Sequence, residues 1–113
     1  MKKPKITEAE FQKQVIQLAR LRGFKVAHFR CVRIMRSSGK TYYETPVQAD
    51  GTGFMDLILA NEAKKLLIAA ELKVPPNKCS PQQTEWLNAF ASAGVPAYVW
   101  TPDDWPEIEK VLS

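Results

Sequence analysis

Apolar residues at Phe11, Val15, Leu18 and Ala19 recur at helical spacing and predict a first helix. Thr7-Glu8-Ala9-Glu10 supplies its start, a capping box in which Glu10 can reach back to the Thr7 amide. Gly23 supplies its stop, and Met1–Ile6 is a short polar leader. Glu8 lies on the apolar stripe, three residues before Phe11 and seven before Val15, with Gln12 one turn further along the same side. From Phe24 to Met35 the pattern changes to loose alternation, with Val26, His28, Arg30 and Val32 on one side and Ala27, Phe29, Cys31 and Arg33 on the other. That period predicts one strand at a sheet edge, followed by a turn at Arg36–Lys40. Thr41–Asp50 fits either a second short strand in a hairpin or an irregular loop, and Asp50–Gly53 is a flexible approach to the next element.

The strongest pattern runs from Gly53 to Lys73. Gly53–Ala60 is apolar apart from Asp56, Asn61–Lys65 is a polar turn, and Leu66–Lys73 is an apolar run with charge only at its far end. Two strands joined as a hairpin account for it. Val74-Pro75-Pro76-Asn77-Lys78 then forbids further pairing, and Ser80-Pro81-Gln82-Gln83 starts a helix with serine as cap, proline at N1 and glutamine at N3. Trp86, Leu87 and Phe90 form the apolar face of that helix, which also carries Gln83, and Gly94 ends it. Ala97–Trp100 reads as a buried strand, and Asp103 or Asp104 caps a last helix with Ile108, Val111 and Leu112 inward. The expected fold is α/β, a sandwich with a central mixed sheet flanked by helices, in one domain over residues 1–113.

Composition narrows the functional classes. A content of 45% hydrophobic and 25% charged residues is that of an ordinary soluble globular chain. No apolar run reaches the roughly 20 residues of a membrane span, and no signal-peptide pattern opens the chain. Cys31 and Cys79 lack metal-ligand spacing and fit a reducing cytoplasm. His28 is the one histidine, which excludes a histidine-based zinc site or a Ser-His-Asp triad and leaves it as a partly exposed strand residue. The three tryptophans, Trp86, Trp100 and Trp105, are packing residues. The net charge is only +4, but no acid occurs between Glu10 and Glu44, where Lys13, Arg20, Arg22, Lys25, Arg30, Arg33, Arg36 and Lys40 all fall. That asymmetry describes either a face for a polyanion or a solvated basic surface.

The chemistry concentrates where the hairpin ends. Side chains alternate along a strand, so Glu71 and Lys73 project from one side with Leu72 behind them, and pairing brings Asp56 beside them. Ionised groups next to an apolar sheet lose hydration and are normally paired or bound to metal. One reading is a structural Glu71–Lys73 ion pair. The other is a site in which Asp56 and Glu71, joined by the Leu72 carbonyl, chelate a hard divalent cation that Lys73 also faces.

Gly53-Phe54-Met55-Asp56-Leu57, Glu71-Leu72-Lys73 and Ser80-Pro81-Gln82-Gln83, in that order, resemble the PD-(D/E)XK nuclease superfamily, and most closely its VRR-NUC (virus-type replication-repair nuclease) branch. The resemblance extends from about Thr7 to the Trp-rich end, with Met55 standing where the family pattern has proline. It implies a restriction-endonuclease-like sandwich and a Mg²⁺-dependent DNA endonuclease, with Mn²⁺ able to substitute. Asp56, Glu71 and the Leu72 carbonyl would hold the metal and Lys73 would act beside it. The superfamily often adds a first-helix acid: Glu10 has a sufficient capping role, which leaves Glu8, with Gln12 as its neighbour. Gln83 would help to position water or phosphate, alongside its capping role. Arg30, Arg33, Arg36 and Lys40, with Lys78 beyond the hairpin, are the candidate DNA contacts. By the same resemblance the substrate is branched, flap or junction DNA, in replication and repair in a bacterial or phage-infected cytoplasm. A homodimer would supply paired sites, with Tyr42-Tyr43 and residues 47–54 as interface material.

Overall fold

The computed structural model describes residues 6–29, 32–35, 39, 41–44, 49–51 and 53–113, with 32–35 and 41–44 described by backbone alone. Helix α1 spans Glu8–Leu21 and buries Phe11, Val15 and Ala19, the i, i+4, i+8 stripe expected from its spacing. Its cap differs in detail from the expected box. Thr7 Oγ1 accepts from the Glu10 amide at 3.1 Å, but the Glu10 carboxylate accepts from the Thr7 hydroxyl at 3.0 Å instead of reaching the Thr7 amide. After the turn at Gly23 (φ +87°) the chain doubles back into β1, Lys25–His28.

The expected single strand over Phe24–Met35 is two. β1 pairs with the main sheet, whereas β2 (Val32–Met35) pairs antiparallel with β3 (Thr41–Glu44) in a separate two-stranded ribbon. The hairpin alternative for the segment after Lys40 is therefore the observed one. Alternation alone could not reveal the break, because both strands share the same period of two.

The main sheet has the order β1-β4-β5-β6, with β4 at Leu57–Asn61, β5 at Leu66–Leu72 and β6 at Ala97–Trp100. β1–β4 and β4–β5 are antiparallel and β5–β6 parallel, so the sheet is mixed. β4 begins four residues after the apolar run does, since Gly53–Asp56 forms an approach segment before the first strand pairing. The parallel step needs a crossover, which is α2, Pro81–Ser92. α2 thus covers one face of the sheet, where Met55, Ala69 and Leu87 form a small apolar cluster with Ile58, Trp86 and Phe90 packed on it. α1 and the terminal α3 (Trp105–Val111) cover the other face, over a larger cluster of Phe11, Val15, Leu57, Leu59, Ile68, Ala70, Leu72, Trp100, Ile108 and Leu112. β6 is an edge strand and only partly buried: Trp100 is enclosed but Val99 is 45% exposed. Before α3 a short 3₁₀ turn (Pro102–Asp104) intervenes, and Asp104 Oδ2 accepts from the Thr101 amide at 2.8 Å instead of capping α3 directly.

Candidate active site

β5 is the inner strand on which the site is built. Flanked by β4 and β6, it is buried from Ile68 to Leu72, and its carboxyl end carries Glu71 and Lys73. The Lys73 amide donates to the Trp100 carbonyl at 2.9 Å, so the sheet holds the backbone on both sides of Leu72. In the β4–β5 register Leu57 faces Ala70, and the same antiparallel step sets Asp56 opposite Glu71. Asp56 is held twice. Its carbonyl accepts from the Phe29 amide at 2.8 Å, and its Oδ2 accepts from the Leu72 amide at 2.8 Å.

Glu71 is only 1% exposed, as unusual for a carboxylate as its neighbours are usual for a core. Its Oε1 is shared by Lys73 Nζ at 3.6 Å and Gln83 Nε2 at 3.0 Å. Its Oε2 is buried with no hydrogen-bond partner among the described residues. Burial first, and then the facing Asp56 carboxylate, push the Glu71 carboxyl from its usual 4.5 up to about 8, against the pull of the Lys73 ammonium.

Gln83 carries both of its expected roles at once. Its Oε1 accepts from the Ser80 amide at 2.8 Å and its amide donates to Ser80 Oγ at 3.2 Å, closing the capping box of α2. The free end of the same side chain, Nε2, is then aimed at Glu71. A glutamate at this N3 position would cap equally well but would set a third carboxylate against the pair, so glutamine serves both functions.

Gly53 explains how α2 comes so close. With φ at +80°, a side chain there would be strained, and its Cβ would stand 2.5 Å from Gln82 Cβ and 2.7 Å from the Gln83 amide nitrogen. Only a glycine lets the segment leading to Asp56 lie against the first turn of α2. Phe54 anchors the same segment, edge-to-face with Phe29 and Trp86 at 4.9 Å between ring centroids in each case. Met55, in the position of the family proline, is fully buried beneath α2 and holds the backbone before Asp56 by packing in place of a rigid ring. The Trp86 indole N–H donates to the Asp50 carbonyl at 3.0 Å, which adds a second tie to the approach segment. Gly53 belongs to the motif read from the sequence, but its packing against α2, the aromatic anchoring of Phe54 and the Phe29 amide are positioning features that the sequence patterns do not single out.

Asp56, Glu71, Lys73 and Gln83 thus meet at one end of the sheet, on the face that α2 covers. Glu8 is half-buried in the first turn of α1, which packs on the opposite face. The doubling back at Gly23 does bring that turn to the same end of the sheet, since Ala9 and Gln12 line a groove with His28, and His28 pairs with Leu57. Among the described residues no three His, Cys, Asp or Glu side chains gather into a metal-holding group, so the cluster comprises two acids without Glu8. Lys78 is exposed in the loop between β5 and α2, next to this end. The side chains of Arg30, Arg33, Arg36, Lys40, Tyr42 and Tyr43, and Cys31, lie outside the described residues. Cys79 is half-buried against the α2-side cluster, and burial raises its thiol pKa.

A mixed sheet with an acid at the start of one strand, a Glu-x-Lys at the end of the next and helices on both faces defines an α/β domain of the PD-(D/E)XK nuclease type. The family model of the VRR-NUC domain matches residues 5–103, and the chain belongs to that family. No curated protein and no solved structure matches it. Nuclease domains of this type generally use divalent metals and act on DNA, and no helix among the described residues is long and apolar enough to cross a membrane.

Proposed function

We propose that the chain is a metal-dependent DNA endonuclease that hydrolyses phosphodiester bonds at the Asp56–Glu71–Lys73 site. The observation that carries this reading is the buried, unpartnered Glu71 Oε2 facing Asp56. A structural Glu71–Lys73 ion pair accounts for Oε1 alone. It leaves Oε2 and the facing Asp56 carboxylate as two like groups held side by side, with burial and that neighbour raising the Glu71 pKa, an arrangement that a cation between them would relieve. Two hard oxygen donors and an adjacent backbone carbonyl suit Mg²⁺ or Mn²⁺. The residues that would hold the cation are Asp56, Glu71 and the Leu72 carbonyl; Glu8, which lies outside this cluster, would contribute only through water. When bound, the cation would supply charge stabilisation to the phosphate and lower the pKa of a coordinated water.

The protein's own groups divide the remaining work. Gln83 and the Leu72 amide hold the two carboxylates in one orientation each, which limits reorganisation during the reaction. Lys73, tied to Glu71 at 3.6 Å and partly exposed, orients the attacking water or balances charge on the phosphoryl group. Branched, flap and junction DNA are the substrates we assign, with a role in replication and repair, and a two-fold dimer would give paired nicks on a four-way junction.

The test is a panel of end-labelled linear, flap and four-way-junction DNA with Mg²⁺, Mn²⁺ or EDTA, run beside melting curves with and without the metals. Cleavage with either metal and none in EDTA, together with a metal-induced rise in melting temperature, is the expected outcome. DNA binding with no cleavage under any condition would identify a silent binding module instead. Light scattering of the DNA complex tests the dimer, and a monomer would remove paired nicking.

A further inference from the structure

We propose that the groove between α1 and β1 carries the phosphate backbone of the DNA toward the carboxylate site. This assignment rests on the nuclease reading and names the surface its substrate would occupy. The groove is about 410 Å³ and is lined by Gln12, Lys13, Gln17, Arg20 and His28 over a floor of Ala9 and Ile16. No acid lines it among the described residues, and each polar residue in it offers a donor that suits phosphate oxygens. Lys13 and Arg20 are exposed. They stand about 10 Å apart along the helix axis at 1.5 Å per residue, roughly three nucleotide rises of one DNA strand. Arg20 alone would be accounted for by its place in the last turn of α1, where a cation meets the helix dipole; Lys13, mid-helix, has no such role.

Position supplies the second argument. His28 closes the groove at the carboxyl end of β1, and the next residue, Phe29, donates its amide to the Asp56 carbonyl. A strand lying along the groove is therefore delivered to the end of the sheet that holds Asp56 and Glu71. The cleft beside α2 is less suited to a polyanion: among the described residues it is lined by Asp50 and Glu85 with Trp86 and Ala89, and its two acids would repel phosphate. At the opposite end of the sheet a wider cleft of about 720 Å³ also carries cations, Arg22, Lys25 and Lys64, but it includes Glu62, which pairs with Lys25 at 3.3 Å. That cleft lies a full strand length from the carboxylates and serves as an internal control for charge without position.

Fluorescence anisotropy in EDTA, with a labelled duplex and a labelled flap DNA, separates this surface from catalysis. Two double variants are compared with wild type over a range of salt: Lys13→Glu with Arg20→Glu in the groove, and Lys25→Glu with Lys64→Glu in the distal cleft. All four positions are exposed, so both variants should fold, with only a small fall in melting temperature where Arg20→Glu sets an anion against the helix dipole and Lys25→Glu faces Glu62. The groove variant should bind at least tenfold more weakly, and its log–log salt slope should fall by about two for two lost phosphate contacts; the distal variant should change less than threefold. Equal losses in both variants, or a loss in the distal variant alone, would overturn the groove assignment while leaving the nuclease reading intact. A groove effect in a protein that never cleaves would sustain the groove and end the nuclease reading. Absence of DNA binding by the wild type would end both.

Discussion

The two faces of β5 differ sharply although they are made by alternate residues of one strand. Ile68, Ala70 and Leu72 turn toward α1 and α3 and are buried among apolar neighbours. Ala69, Glu71 and Lys73 turn toward α2, and there the apolar layer ends in a carboxylate that is just as buried. The first face stabilises the domain by removing hydrocarbon from water. The second gives up part of that stability to hold an ionisable group, protonated up to about pH 8 in the metal-free fold, where water cannot reach it. What separates them is the partner: α1 brings Phe11 and Val15 to its face, whereas the first turn of α2 brings Gln83.

If that division is right, substitutions on the two faces should fail in opposite ways. On the α2 face, Asp56→Asn, Glu71→Gln and Lys73→Ala should each lower cleavage by about two orders of magnitude or more, the scale at which preorganised charge contributes to catalysis. Their DNA affinity in EDTA should stay near wild type. Wild-type rates in three folded variants would end the catalytic assignment. On the α1 face, Leu59→Ala should lower unfolding free energy by about 2–5 kcal/mol, measured by denaturant titration, with the cleavage rate of the folded fraction unchanged.

Gly53→Ala probes the seam between the approach segment and α2. The added methyl meets Gln82 and Gln83 backbone, and a left-handed conformation is imposed on alanine. A loss of about 1–3 kcal/mol in stability is expected, together with reduced cleavage because Gln83 is displaced from Glu71. Retained activity despite lower stability would show that Gln83 positions nothing.

The buried acid also predicts a pH dependence of the metal-free protein. Glu71 holds its proton up to about pH 8 in the folded state, whereas an unfolded chain releases it near 4.5. The unfolded state therefore binds fewer protons across that interval, and stability falls as pH rises from about 4.5 to about 8. Melting temperatures in EDTA should decline over this window in wild type and stay flatter in Glu71→Gln. Mg²⁺ added at pH 8 should restore the wild type and leave the variant unmoved.

The smallest effects concern α1, which tests how far the α2 face alone makes the site. Glu10→Gln should lower stability by about 1 kcal/mol through the cap and leave cleavage alone. Glu8→Gln should weaken metal-dependent cleavage more than it weakens the fold. The reverse ranking would remove Glu8 from the site.

Periodicity and capping chemistry were enough to determine the helices at Glu8–Leu21 and Pro81–Ser92, the hairpin that carries Asp56 and Glu71, and the order of elements in a mixed α/β sandwich. These features are local: a strand's period and a helix's first turn are written within a few residues, and the alternation of faces alone sets Glu71 and Lys73 on one side. Tertiary structure decided the rest, because each remaining feature depends on residues distant in the chain. It split Phe24–Met35 between two sheets, placed β6 at an exposed edge, and put Glu8 on the face away from Gln83. It also brought Gly53 against Gln82 and left Glu71 Oε2 buried without a hydrogen-bond partner among the described residues. A pattern of residue types can say that a carboxylate ends an apolar strand; whether water, a cation or a neighbouring donor meets it is determined only when helices from elsewhere in the chain close over that end.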